Sequence, residues 1–521
     1  MKNNNVFKYI FIVFIIALII GTVYVLYNQN VQSEEIEEEN TTEEASIEML
    51  DSLTMGLCNY DTMNPLLTNN KEIINISKII FEPLLNITSD YKIENCLATS
   101  WTKRDDTTYE IKIDSSIKWQ DGSSLIAKDV SFTIDRLKER NTVYSANVAD
   151  IASTETPDAE TVIIHLSRAV PFFEYNLTFP ILPSMYYVNE NFETTNKIPI
   201  GTGMYKIASI DDNTILLTRN DRWRYIKEKT PLAQSITIKR YGTMGEIYNS
   251  FKLGNIDIIN TSSTNYQEHV GTMGYNKKEY KGRNYDYLSL NCSDTILQDK
   301  AVRQAINYAI DKNTLVSTVF SNNYYVANSP LDYGSYLYNS TGEISYNQEQ
   351  ARTTLEQAGW TYQNGRWQKS ISGHVRRLTL SLIVSEENNN RVNVANEIKR
   401  QLEAIGIAVN VTKVSNDKYY EYLNNKNYQM ILTGVTNSVN PDLTYFYGDG
   451  NLANYNNSDV KSKLNSTDNY ADIQKIVNDE VPYIGLYRNK NTLILNANVG
   501  GNFSPNSYNV YYNFNEWFRQ K

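Results

Sequence analysis

About nineteen residues in a row, Tyr9 to Tyr27, carry no charge, with FIVFIIALIIGTVYVLY at the heart of the run. At 1.5 Å rise per residue a helix of that length is close to what a bilayer crossing needs. Lys2 and Lys8 precede it and the next charges are acidic, so the positive-inside rule places residues 1–8 in the cytoplasm and the bulk of the chain outside. A secretory signal peptide is the competing reading. The apolar stretch is long for one, no small-x-small site follows cleanly, and Cys58 lies too far downstream to serve as a lipid anchor. An uncleaved single-span anchor over 9–27 is therefore expected. Ser33 to Glu48, SEEIEEENTTEEASIE, is half Glu with no Lys or Arg. Like charges repel, so 28–48 reads as an extended acidic linker, with the folded part beginning near Met49.

With 521 residues the chain exceeds one ordinary core. A hydrophobic share of 41% beside 21% charged residues is that of a folded protein. The net charge of −10 gives no basic footprint for nucleic acid. Forty tyrosines stand out; a ring with a polar tip suits wet clefts, and biased codon usage would give the same excess. Cys58, Cys96 and Cys292 are widely spaced, which excludes a disulfide framework and a Cys-based zinc site of ordinary spacing.

Strand and helix signals alternate through residues 49–521, as in mixed α/β layers. Tyr109 to Ile113 alternates at strand period, and Val130, Thr133, Ile134 and Leu137 recur at helical spacing. Asp299 is placed to cap a helix bearing Val302, Ala305, Ile306, Ala309 and Ile310. Asn347 is placed to cap another through Ala351, Leu355 and Ala358, stopped by Gly359. Val394, Ile398, Leu402 and Ile405 form a helical face ended by Gly406, and Ile407, Val409 and Val411 follow at strand period.

No compact catalytic constellation is present. His165, His269 and His374 lie about a hundred residues apart, whereas zinc hydrolases pair histidines one helical turn apart. There is no G-x-S-x-G elbow and no G-x-x-x-x-G-K-[ST] phosphate loop. Gly201-Thr-Gly203 is half a dinucleotide fingerprint with Lys206 at the third glycine position, better read as a turn into a strand from Met204 to Ile207. Asp105/Asp106 and Asp211/Asp212 sit in turn-like surroundings. The expectation is a binder: no enzyme, no cofactor and no metal site.

A series of motifs in fixed order carries a resemblance. Met63-Asn-Pro-Leu-Leu67 is followed by Ile80-Phe-Glu-Pro-Leu-Leu85, then Leu97-Ala-Thr-Ser-Trp101 and Ile117-Lys-Trp-Gln-Asp-Gly122. Ala127-Lys-Asp-Val130, Ile134-Asp-Arg-Leu137, Pro199-Ile-Gly-Thr-Gly-Met-Tyr-Lys206 and Leu253-Gly-Asn-Ile-Asp257 come next. Leu288-Ser-Leu-Asn291 with the run from Lys300 to Asp311, KAVRQAINYAID, is the most specific segment. Together they make residues 49–521 resemble the large bacterial solute-binding proteins of the peptide/nickel family. The resemblance implies a two-lobed α/β clamshell of the periplasmic-binding-protein type, in three domains with two hinge crossings, behind the N-terminal transmembrane helix. Its parts would be lobe I at 49–88, 199–290 and 486–521, an accessory domain at 89–198, and a further lobe at 291–485.

Ligand would lie between the lobes, its backbone paired as an added strand, and closure would be a hinge motion that the ligand biases. The recognition loop is Gly434 to Asp442, after a strand at Gln429 to Thr433. Relatives carry Trp and Asp where this chain has Val435 and Ser438. A hydroxyl cannot give an ammonium the bond a carboxylate gives, and Asp442 is the nearest acidic replacement. Candidate ligand contacts are Gly434, Val435, Thr436, Asn437, Ser438 and Asp442 in the loop. Asn64, Tyr285, Tyr287 and Asn291 are candidates on the matched segments. Tyr445, Tyr447, Tyr483 and Tyr487 are cleft aromatics or core. The function implied is peptide capture by a membrane-tethered, extracytoplasmic monomer for an ABC permease with cytoplasmic ATPases. A peptide-sensing receptor of the same fold is the alternative, and a binder of a nickel complex, haem or sugar oligomer the third.

Overall fold

The computed structural model describes Thr22, residues 49–58 and residues 60–521. The acidic linker and, apart from Thr22, the apolar run lie outside the described residues. Among the described residues no helix is long and apolar enough to cross a membrane. Met1–Met49 with Gln520–Lys521 form one unit and Leu50–Arg519 the other; the second is the subject below.

Eleven strands form its main sheet. In chain order they are β1 (Ser52–Cys58), β2 (Tyr205–Ile210), β3 (Thr214–Arg219), β4 (Ser235–Tyr241), β5 (Ile258–Thr261) and β6 (Tyr275–Leu290). Then come β7 (Tyr324–Val326), β8 (Thr379–Ser385), β9 (Ala408–Val414), β10 (Met430–Thr436) and β11 (Tyr483–Asn496). Their order across the sheet is β9-β8-β10-β6-β11-β5-β1-β4-β3-β2, with β7 against β11. β1 pairs parallel with β4 and β8 parallel with β9, while β6 is antiparallel to both neighbours. A separate four-stranded antiparallel sheet is built from residues 98–166.

The two long strands β6 and β11 join the lobes. Tyr280, Leu493 and Leu495 sit in a core with Leu53, Leu57 and the residues of the four-stranded sheet. Further along the same strands, Leu288, Leu290, Ile484 and Leu486 sit in a second core with Val302, Ile306, Ile398 and Leu402. Each lobe thus buries its own apolar face, and only the backbone of the shared strands runs through both.

Local signals explain the elements. Asp299 accepts from the Ala301 amide at 3.0 Å and starts the helix Lys300–Ala309. Asn347 accepts from the Gln350 amide at 2.9 Å and starts Gln348–Gln357, with Gly359 at φ +83° beyond its end. The helix expected from Val394 begins a turn earlier, at Asn389, because Asn388 caps it.

The motifs that carry the resemblance prove to be joints of this scaffold. The Asp129 carboxylate accepts from Trp119 Nε1, the Ile126 amide, and the Ser184 amide and hydroxyl at 2.7–3.1 Å. The Arg303 guanidinium donates to the carbonyls of Leu297, Gln298 and Glu480. Gly201 passes so close to Ile80 that a Cβ there would stand 2.1 Å from its carbonyl oxygen. Each position needs its residue type for a packing reason.

Candidate functional site

The strand pair β6–β11 breaks register where it passes from one lobe to the other. Lys281 faces Lys490 and Tyr285 faces Arg488, so Gly282, Arg283 and Asn284 stand against Asn489 alone. The Asn489 side chain fills the gap, accepting from the Asn284 amide at 3.1 Å. It approaches Gly282 so closely that no Cβ fits there. A bulge of this kind bends a strand and re-aims its side chains, and here it turns Arg283 into the space between the lobes.

β10 reaches the same space. Its ladder to β8 covers only Met430 and Ile431, whereas its ladder to β6 runs on to Thr436. From Gly434 to Thr436 it therefore keeps one edge without a strand partner among the described residues. Gly434 is dictated locally, since the Asp286 carboxylate, bonded to Arg391 Nε at 2.8 Å, lies where a Cβ would be.

The lobes touch directly around this space. The Tyr508 hydroxyl, from the first lobe, donates to the Ser438 carbonyl at 2.8 Å. Asn440 Nδ2 donates to the carbonyls of Pro171 and Phe172 at 3.0 and 3.1 Å. The Tyr336 amide donates to the Asp90 carbonyl at 3.0 Å, and the Tyr336 and Tyr175 hydroxyls lie 3.1 Å apart. Phe172, held at φ +53°, sets its ring edge-on to Tyr470 with centroids 5.6 Å apart. A left-handed backbone at a non-glycine residue persists only where its surroundings hold it.

Charge inside the cleft is mostly positive. Lys78 and Arg283 both keep exposed surface. Yet burial in the surrounding protein, with the Arg283 charge adding to it, lowers the Lys78 amine to about 8. Tyr144 is bonded to Ser77 and pushed up to about 12 by burial. Arg283 stacks 5.6 Å from the Tyr508 ring and donates through Nε to the Asn437 carbonyl at 2.8 Å. Arg488 lies over Tyr285 and bonds the Ser329 and Pro330 carbonyls. Of the acids, Asp332 is paired with Lys281 at 3.1 Å.

The residues singled out from the sequence fall into three groups. Gly434, Val435, Thr436, Asn437 and Ser438 lie along β10 and the loop at the cleft; the Asn437 amide donates to the Arg283 carbonyl at 2.9 Å. Tyr285, Tyr287, Tyr447 and Tyr483 pack with Phe446 in an aromatic cluster of the second lobe, with Tyr445 half exposed at its rim. Tyr487 packs on Phe320 and Tyr324. Asn291 bonds the Tyr428 carbonyl and Asn454, and Asp442 Oδ1 accepts from the Thr444 amide at 2.8 Å in the turn before a short helix. Asn64 turns its own loop by accepting from the Leu66 amide, and lines a separate opening of about 450 Å³ with Arg140, Phe192 and Lys197. Sequence reasoning missed Lys78, Arg283, Tyr144, Tyr508 and Asn440. The one local signal was Gly282-Arg-Asn284, polar residues interrupting strand alternation.

Comparison with known proteins places this geometry. Residues 92–457 match the model of the bacterial extracellular solute-binding proteins, family 5. The oligopeptide-binding protein AppA of Bacillus subtilis is 24% identical over 508 residues, covering 90% of this chain and 92% of that protein. Its structure with a nonapeptide superposes with a TM-score of 0.56 at 23% identity, over 91% of this chain and all of that one. HbpA2 from Haemophilus parasuis gives 0.74 at 20% identity, and NikZ from Campylobacter jejuni with Ni(L-His) gives 0.58 at 23%; each covers 90% of this chain, with 100% and 99% of theirs. On the extent of the family match, this chain belongs to family 5 of the bacterial extracellular solute-binding proteins.

Proposed function

We propose that the chain captures oligopeptides between its lobes and hands them to the membrane subunits of an ABC importer, with residues 9–27 spanning the membrane as its tether and the lobes outside. The observation that carries this reading is the edge of β10 at Gly434–Thr436, which has no strand partner among the described residues and lies beside the contacts between the lobes. An extended peptide fits such an edge as an added strand. Main-chain bonds then give affinity without regard to sequence, and the cleft takes varied side chains. Similarity to an oligopeptide-binding protein over nearly the whole chain supports it. Contacts such as Tyr508 to Ser438 and Asn440 to Phe172 would hold the lobes together over the ligand.

Native mass spectrometry of the full chain in mild detergent tests the reading. Co-purified mixtures of short peptides are the expected result. A metal complex, haem or a glycan in their place would overturn it. Transport is checked by deleting the gene and following uptake of labelled peptide, where undiminished uptake alongside a lost transcriptional response would point to sensing.

A further inference from the structure

Between β7 and the helix Gln348–Gln357 the chain runs from Ala327 to Asn347 without a helix or strand. A connection of that length inside a compact lobe is uncommon, and is usually either loose or functional. This one is bolted down. Arg488 donates to the Ser329 and Pro330 carbonyls, and Asn437 Nδ2 donates to Pro330 at 2.6 Å. Gln474 accepts from the Asn339 amide at 2.9 Å and donates to the Leu337 carbonyl at 2.8 Å. Asn328 Nδ2 donates to Glu343 at 2.8 Å and so ties the two ends of the segment together. Leu331 and Leu337 are buried in the aromatic cluster of the second lobe.

Between these anchors the segment reaches the first lobe at two places. Asp332 pairs with Lys281 at 3.1 Å, and the same ammonium lies 4.7 Å over the Tyr333 ring. Lys281 is the last paired residue of β6 before the register break, next to Tyr280 in the first core. The Tyr336 amide donates to the Asp90 carbonyl at 3.0 Å, and Lys92 lies 5.2 Å over the Tyr336 ring. The Tyr336 and Tyr175 hydroxyls are 3.1 Å apart. Tyr175 spends its own proton on the Tyr91 carbonyl at 3.2 Å, so Tyr336 is the donor between them. Arg488 faces Tyr285 just beyond the break. The segment therefore grips the hinge strands on both sides of the bulge, through Lys281 before it and Arg488 after it.

We infer that residues 327–347 form a strut that sets the resting angle between the lobes. Each of its bonds joins protein to protein, so it acts whatever fills the cleft and also when nothing does. A swing about the β6–β11 crossing has to strain the Lys281–Asp332 pair and the Tyr336 contacts together, because one anchored segment carries both. The angle is then a property of the fold that ligand biases from a preset value.

The test measures the distance between spin labels at Asp106 and Asn425, exposed positions on the first-lobe side and on the second lobe, in the full-length protein in mild detergent without ligand. Wild type is expected to give one narrow distribution. Tyr336→Ala, at a side chain that is 42% exposed, should broaden it toward longer distances, and Asp332→Asn should do the same. Tyr336→Phe should do so less, and adding it to Tyr175→Phe should change little further, since the two hydroxyls share one bond. With peptide bound, Tyr336→Ala should speed release about fivefold or more, by the same factor for every peptide. Wild-type distances in folded Tyr336→Ala and Asp332→Asn would overturn the strut. So would release factors that differ from peptide to peptide, because the segment would then be a ligand contact. If no peptide is retained at all, the reading above fails while the ligand-free distances still decide the strut.

Discussion

The second lobe and the cleft each hold an arginine and a lysine, and they treat them in opposite ways. Beneath β11, Arg303 is saturated by backbone carbonyls and Lys312 is buried against Asn328. In the cleft, Arg283 and Lys78 are exposed, and among the described residues the Arg283 guanidinium bonds only the Asn437 carbonyl. Burial lowers both lysines to about 8, so titration alone does not tell the regions apart. Bonding does. A buried cation whose donors are filled holds a scaffold together, whereas an exposed one leaves its donors to water.

Truncating the two arginines separates the regions most sharply. Arg303→Met leaves buried carbonyls unpaired and should lower stability by about 3 kcal/mol or more in urea unfolding. Arg283→Met should cost under about 0.5 kcal/mol, because it strands little. A comparable loss for both would erase the distinction.

The lysines sharpen the comparison through pH. The folded pKa of Lys312 is depressed from 10.5 to about 8, so between those values the folded state binds fewer protons than the unfolded one and stability rises with pH. Denaturation of wild type against Lys312→Met should show a rise on the order of 2 kcal/mol between pH 8 and pH 10 that the variant lacks.

Smaller effects are expected from the contacts between lobes. Tyr508→Phe removes the bond to the Ser438 carbonyl, worth about 1 kcal/mol, and should speed peptide release roughly fivefold in stopped-flow measurements. The least is expected of Asp442→Asn. Its carboxylate accepts from the Thr444 amide and hydroxyl, so the loss should be up to about 1 kcal/mol of stability with peptide affinity changed less than about twofold. A much larger loss confined to peptides with a free amine would return Asp442 to ammonium recognition.

The scaffold was legible in the sequence because its joints are local demands on residue type. Asp299 and Asn347 announce helix starts, Gly359 and Gly406 announce ends, and Gly201 stands where no Cβ fits. Arg303 lies inside a motif for the same reason. The place of the loop after β10 was legible too, by its register behind an apolar strand. The cleft chemistry was not. Lys78, Tyr144, Arg283 and Tyr508 are unremarkable where they stand, separated by tens to hundreds of residues, and acquire meaning only when β6 bends and brings them together. Aromatic residues misled in the other direction. Tyr285 and Tyr287 sit on a strand that borders the cleft, yet they face the side that packs on Phe446.

The register break at 282–284 also governs how the gene can change. Beyond it, β6 is sandwiched on both faces: Tyr285 and Tyr287 belong to the aromatic cluster, Leu288 and Leu290 to the aliphatic one. Side chains alternate with a period of two, so the number of residues in the bulge sets the parity of everything after it. Losing a single codon there would present leucines to the aromatic side and tyrosines to the aliphatic side. Length variation at the hinge is therefore filtered by whether it is odd or even, a constraint on insertions and deletions that no single substitution would reveal.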